Sequence, residues 1–328
     1  MSDHRMTRRD AVRRLTTAGA AVALGGGIIR GQGAPITIGG RPVEIVVDAL
    51  SAETVRIRVM PIDGSQTLAI PVDGSLVQAE SGRRAGARRD ASSVTAIRAG
   101  ALTVRVTPQP PALDIVSAAG ATVQRLSFEP QGSEVRFLLP KGPLLGLGQG
   151  GPQFDRKGQT DRMRNGQGGY QLQTHGSRAP IQWLVGTDGW GMFIHHPQGA
   201  FDFTGGDGRF TPHAPGSAFD AFIVASSDPA VIMREYARIT GLPALPAQWT
   251  LGYMQSHRTL SGPEEILSIP KTFREKKLPC DALIYLGTEF TPSGWNTRNG
   301  EFGWKTENFP NPKAMIDEIH AQHFKVVL

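Results

Sequence analysis

Two hydrophobic periods divide the chain. From Pro35 to about Gly151, apolar residues alternate with polar ones: Val55, Ile57 and Val59 with Arg56 and Arg58; Leu102, Val104 and Val106 with Thr103 and Arg105. Val135, Phe137 and Leu139 repeat the pattern. Period two with polar partners predicts strands in sheets with one wet face. Asp63-Gly64, Asp73-Gly74 and Ala119-Gly120 punctuate the strands as turns. An antiparallel β-sandwich is the economical architecture. Further on, Pro180 to Val185 and Trp190 to His195 flank Thr187-Asp188-Gly189 and read as a hairpin. Asp228-Pro229 then starts a helix with Val231, Ile232, Tyr236 and Ile239 as apolar residues, and Gly241 ends it.

After Leu242 the period changes. Leu242-Pro243-Ala244-Leu245-Pro246 is a stiff, extended linker. Trp249 to Met254 predicts a short apolar strand ending in polar Gln255-Ser256-His257-Arg258. Ser261 opens a helix with Glu264 at capping-box spacing. Ile266, Ile269 and Phe273 share one face, Lys276-Lys277 sit in the last turn, and Leu278-Pro279 stops the helix. Ala282 to Leu286 is a second strand. Asn311-Pro312 starts another helix, with Met315, Ile316 and Ile319 as its apolar face, and Lys325 to Leu328 opens a third strand. Strands alternating with helices imply parallel pairing. Periodicity alone leaves a doubly wound sheet open. The long polar loop Thr288 to Asn308, at the carboxyl end of strand two, favours a barrel, which keeps its chemistry there.

The expected fold is therefore a β-sandwich followed by the first β/α units of a (β/α)8 TIM barrel, incomplete within these residues. The domains expected are a signal segment at 1–34, a sandwich at 35–241 and the start of a barrel at 242–328. Thr7-Arg8-Arg9-Asp10 approximates a twin-arginine pattern, and the apolar run Leu15 to Ile29 is too short to span a bilayer comfortably. Export to the periplasm or medium is expected, with no membrane association after cleavage; a disordered basic tail is the alternative.

Charge changes the picture little. Residues 1–34 hold six Arg against two Asp, so they supply +4 of the formal +6. The Arg83, Arg84, Arg88, Arg89 cluster has no aromatic neighbour for stacking bases, so no nucleic-acid partner is expected. The one cysteine, Cys280, makes no intramolecular disulfide. Gly146-Leu147-Gly148-Gln149-Gly150-Gly151 matches GxGxxG, but Pro152 and a polar run follow where a dinucleotide site needs a helix. His195-His196 on a strand point to opposite faces and have no third ligand spaced nearby, which argues for one core and one surface histidine. No metal or organic cofactor is implied.

LPALPAQWTLGYMQS, the PEEIL helix, FREKKLPCDALIYL and ENFPNPKAMIDEIHAQHFKVVL together resemble the opening of the catalytic barrel of glycoside hydrolase family 31. The resemblance reaches back to about Leu144, includes Asp155-Arg156-Lys157-Gly158, and is strongest after Leu242. It implies an amino-terminal sandwich and retaining hydrolysis, or transfer, of an α-linked sugar. Retention needs two carboxyl groups about 5–5.5 Å apart. The family's nucleophile follows the fourth barrel strand, and its acid/base aspartate lies further along. Both are expected beyond Leu328, so this chain reads as a fragment, inactive alone.

The resemblance also implies substrate-facing positions. Where α-glucosidases show Asp-Ile-Asp after strand two, this chain has Gly287-Thr288-Glu289. Gly287 replaces the first aspartate, while Glu289 matches the second and is a candidate to bind a hydroxyl. An aspartate from a sandwich loop falls, by a loose alignment, near Asn165-Gly166-Gln167, with Gln167 in its place. These departures put α-glucosidase specificity in doubt. Trp295 and Trp304 are candidates to stack on sugar rings, or they pack the loop on the rim. Among residues ending strand one, His257 is a candidate to line the pocket. The substrate-binding set is thus Glu289, Thr288, Gln167, His257 and Trp304, and the expected partner is an α-linked oligosaccharide or glycoside. Rival readings are a non-catalytic carbohydrate-binding protein on the same scaffold and a module of an unrelated barrel.

Overall fold

A computed structural model describes residues 34–77, 82–150, 153–164, 179–196, 198–258, 260–286, 290–293 and 301–328. The expected signal segment, apart from Ala34, lies outside them. The chain divides into two compact units between Leu242 and Pro243.

The first unit is built from antiparallel strands. In chain order these are β1 (Thr37–Ile38), β2 (Arg41–Ala49), β3 (Thr54–Asp63), β4 (Gln66–Thr67), β5 (Arg83–Arg88), β6 (Thr95–Ala99), β7 (Leu102–Pro108), β8 (Pro111–Val116) and β9 (Thr122–Phe128). There follow β10 (Val135–Leu138), β11 (Leu144–Gln149), β12 (Thr160–Asp161), β13 (Ala179–Gly186), β14 (Trp190–Ile194), β15 (Gly199–Asp202), β16 (Asp207–Pro212) and β17 (Phe219–Ala225). One sheet runs β1-β2-β3-β17-β14-β13-β11, with β4 beside β3 and β5 beside β2. The other runs β12-β15-β16-β10-β9-β8-β7-β6. Alternate residues of both sheets meet in one core: Val55, Ile57 and Ile223 from the first, Val104, Ile115, Leu126 and Phe137 from the second. The ring of Phe137 meets those of Phe201 and Phe203 edge-on.

The second sheet has the wet outer face that alternation predicts, with Arg98, Arg105, Arg125 and Arg136 exposed. The expectation fails for β3. Arg56 is 9% exposed and Asp220 on the neighbouring β17 is fully buried. Helix α1 (Pro229–Thr240) packs Ile232 and Ile239 on this side against Trp183, Phe193 and Phe222. Residues 70–77, with Ile239, wall off the Arg56 region. Asp228 caps α1 by accepting from the Ala230 amide at 2.8 Å, and Gly241, at φ 88°, ends it.

The second unit is a parallel sheet in chain order, β18 (Met254–Arg258), β19 (Ala282–Leu286) and β20 (Lys325–Val327). Its register pairs Met254 with Ala282 and Ala282 with Lys325. Helices α2 (Pro263–Glu275) and α3 (Pro312–Ala321) connect the strands. Ile266, Leu283, Tyr285, Phe309, Met315, Ile319 and Phe324 form the core.

Three local expectations need correction. The strand expected at Trp249 starts at Met254, because Gln248–Leu251 is a 3-10 turn. Thr250 Oγ1 donates to the Ala247 carbonyl at 2.7 Å, and the Gly252 amide donates to Trp249 at 3.3 Å, so the backbone groups close on themselves. Polar residues 255–258 therefore lie within the strand rather than after it. Ser261 pairs with Glu265, not Glu264: its amide and hydroxyl donate to Glu265 Oε2 at 3.0 and 2.9 Å. The helix begins one residue later, with Gly262 as N-cap, so no side chain caps it and Glu265 at the third helical position accepts from the residue before the cap. Finally, α2 ends at Glu275, so Lys276 is the cap and Lys277 turns left-handed at φ 53°.

Pro270 sits inside α2 and offers no amide to the Ile266 carbonyl one turn earlier. The Tyr285 hydroxyl donates to that carbonyl, at 3.4 Å, from β19.

Candidate functional site

Parallel pairing sends β18 and β19 in one direction, so their carboxyl ends lie side by side. His257 is on β18 beside Tyr285 of β19 and is exposed. The loop leaving β19 returns through Trp304, whose ring centroid is 5.7 Å from Phe290 and 5.6 Å from Phe309. Trp304 is partly buried on the unit's core, and Phe309 is fully buried. The loop is further closed by Glu301, which accepts from the Ser293 amide at 3.0 Å and its hydroxyl at 3.1 Å. The Lys305 amide donates to the Phe290 carbonyl. Trp304 thus packs the loop, with part of its surface left open.

Two carboxylates here are committed to local structure. Glu301 is tied to Ser293. Glu265 is held below the usual carboxylate range by the Ser261 amide first and its hydroxyl next, against a small desolvation penalty, with the nearby His257 adding to the effect. Burial raises the Tyr285 phenol well above its ordinary range, so it remains a donor. Of the five residues expected to bind substrate, His257 and Trp304 are described; Glu289, Thr288 and Gln167 lie outside the described residues, as does Trp295.

The glycine-rich stretch is a structural hub. Gly146, Gly148 and Gly150 have φ of 110°, 79° and 77°, and the β11–β13 register slips between Gly146 and Gly148. Their carbonyls converge on one side chain. Arg156 Nε donates to Gly146 O at 3.0 Å, and Nη2 donates to Gly150 O at 2.8 Å and Gly148 O at 3.5 Å. Asp155 is the counterpart acceptor, taking the Leu144 and Lys157 amides at 3.0 and 3.1 Å. Burial opposes its ionisation, but those amides outweigh it and lower its pKa. Arg156→Met removes the donor while keeping much of the volume. Its expected cost is about 1 kcal/mol, from part-buried carbonyls that lose their donor. Amide exchange along β11 checks it, and unchanged protection there counts against the hub.

Sequence reasoning missed a second polar cluster. Asp220 Oδ1 accepts from Arg56 Nε at 2.8 Å, and Oδ2 accepts from Arg56 Nη2 at 2.7 Å. His195 Nδ1 is 2.8 Å from Asp220 Oδ2, and His195 Nε2 is 3.1 Å from Asp73 Oδ1. The Arg56 guanidinium also lies 4.9 Å over the Phe222 ring. Nothing in the spacing of positions 56, 73, 195 and 220 points to their meeting.

Residues 243–328 match the family model described as the glycosyl hydrolases family 31 TIM-barrel domain. The α-xylosidase of Saccharolobus solfataricus is 30% identical over 113 residues, covering 34% of this chain and 15% of that protein. α-Glucosidase 2 of Bacillus thermoamyloliquefaciens is 32% identical over 127 residues, covering 39% of this chain and 15% of that protein. The matched stretch therefore spans about a seventh of either relative. A Flavobacterium johnsoniae GH31 dextranase complexed with glucose has a similar fold. It superposes with a TM-score of 0.71 at 21% identity, over 87% of this chain and 36% of that one. A GH31 α-xylosidase from a soil metagenome, complexed with xylose, gives 0.65 at 18% identity, over 89% and 45%.

Proposed function

We propose that this chain is part of a retaining hydrolase of α-linked sugars of glycoside hydrolase family 31, whose TIM-barrel model matches residues 243–328. The observation that carries this is the three-stranded parallel sheet in chain order, whose carboxyl ends carry His257 and the Trp304 loop. Barrel enzymes assemble their chemistry at that face. Thr288 and Glu289 follow β19 in sequence after Gly287, and in this reading they contact the sugar with His257 and Trp304. Their roles are to hold and orient hydroxyls and to offer a ring face to the pyranose C–H groups.

Hydrolysis with retention requires one carboxylate as nucleophile and a second as acid, then base. In this reading the 328 residues supply substrate contacts and not that pair, so they release no aglycone alone. The test is a screen of chromogenic α-glucoside, α-xyloside and α-galactoside. The 328-residue chain is expected to stay at the buffer rate with all three. The product of the whole coding sequence is expected to cleave at least one, and NMR of the first-formed sugar shows the α anomer. A β-anomeric first product overturns retention. Sugar binding without cleavage of any substrate favours the non-catalytic carbohydrate-binding reading.

A further inference from the structure

The Asp73–His195–Asp220–Arg56 chain belongs to the first unit. It joins a surface segment to a sheet. Residues 70–77 cross the outer side of the first sheet and close a cavity of about 260 Å3, lined by Arg56, Ile70, Val72, Leu76, Phe222 and Ile239 among others. Three fastenings hold the segment. The Val77 amide donates to the Ile239 carbonyl at 2.9 Å. Leu76 packs on the cluster under α1. Asp73 reaches His195, and its Oδ1 also accepts from the Ser75 amide at 2.9 Å and hydroxyl at 2.7 Å. Val72 is 77% exposed, so the middle of the segment gains little from burial.

His195 is placed between two carboxylates, one at each ring nitrogen. Carboxylates accept hydrogen bonds, so both contacts require a hydrogen on both nitrogens, and a neutral imidazole has one. We propose that residues 70–77 form a proton-controlled strap, docked while His195 carries both ring hydrogens and released when Nε2 loses its own.

The geometry decides which nitrogen gives way. The Asp220 carboxylate is fully buried and the Asp73 side chain is 34% exposed. A buried carboxylate has no water to replace its donor, so the remaining hydrogen stays on Nδ1. Nε2 then presents a lone pair to the Asp73 carboxylate, and attraction becomes repulsion. Among the described residues, the other charged or titratable groups near the ring are Arg56 on β3, bound to Asp220, with Asp48 beyond it, and the adjacent His196. Tyr236 on α1 faces the Phe193 ring that stacks with His195.

The direction of the pH effect follows. Burial lowers the His195 pKa, but the hydrogen bonds to Asp220 and Asp73 outweigh it and raise the pKa above 6.5. The stabilisation is therefore complete below the unfolded value of about 6.5 and lost as pH rises through the higher folded value. Burial raises Asp73, yet the Ser75 amide and His195 bring it to about 2, so its share fails only in strong acid.

The experiment follows the Ser75 and Val77 amides of the full chain by NMR-detected exchange from pH 6 to 9, corrected for intrinsic rate. The His195 ring nitrogen shifts are recorded in parallel. Protection is expected to fall on the order of tenfold in step with ring deprotonation. Asp73→Asn should abolish the step without unfolding, because an amide accepts from Nε2–H or donates to bare Nε2. Flat protection in the unsubstituted chain, the same step in Asp73→Asn, or a ring already neutral at pH 6 overturns the proposal.

Discussion

Asp220→Ala is expected to destabilise the first unit by about 3–5 kcal/mol, the cost of breaking a buried ion pair from one side. Its carboxylate is fully buried and accepts both fork hydrogen bonds of Arg56 as well as His195 Nδ1. Burial alone disfavours the Arg56 charge, but the Asp220 hydrogen bonds and charge overcome this and raise its pKa. Without Asp220 a guanidinium and an imidazolium remain under Ile239 and Phe222, short of acceptors. Such a loss is a large share of a domain's total stability of about 5–15 kcal/mol. Two units need not unfold together, so exchange of the β3 and β17 amides in increasing urea is the measurement. The pair Arg56→Met with Asp220→Leu should cost less than Asp220→Ala alone, since two apolar side chains leave no orphaned charge. A double variant worse than both singles argues that the ion pair stabilises outright.

Phe309→Ala is expected to cost the second unit about 3–5 kcal/mol, as for other buried aromatic truncations. Phe309 is fully buried, and its ring supports Trp304, which in turn meets Phe290. Removing it opens a cavity and takes away the platform that holds the loop after β19. Exchange at the Leu283 and Ile284 amides should rise, while the β3 and β17 amides keep their protection. Equal losses in both units would show that Phe309 is not confined to the packing described. Trp304→Phe serves as a control, since it keeps a ring against Phe290 and Phe309 and should cost less.

The sheet architecture was legible because a strand's inside and outside alternate, and Val55, Ile57 and Val59 declare that period without help from distant residues. The parallel βαβ order was legible for the same reason at helical period, in Ile266, Met315 and Ile319. What failed depended on partners far away in sequence or on one-residue differences. Arg56 reads as a wet-face residue because its partner, Asp220, is 164 positions on. The apolar Trp249 to Leu251 stretch reads as strand, yet local backbone bonds through Ala247 and Gly252 turn it into a 3-10 segment. Glu264 and Glu265 are adjacent acids, and only the position of the N-cap decides which one meets Ser261. The place of His257 at the carboxyl end of β18 was legible from the strand pattern. The packing of Trp304 between Phe290 and Phe309 was not, because it depends on how the loop folds back.

The proline within α2 has a consequence for how the α2–β19 pair is aligned. Aliphatic contacts between a helix and a sheet tolerate small slippage at little cost, because one methyl group replaces another. The hydroxyl of Tyr285 meeting the carbonyl that Pro270 leaves open is different, since it fits at a single offset. Sliding α2 by one turn strands an acceptor and a donor together in a dry interior. A residue that weakens the helix by itself thereby fixes where the helix docks, and with it the height at which the loops above the sheet begin.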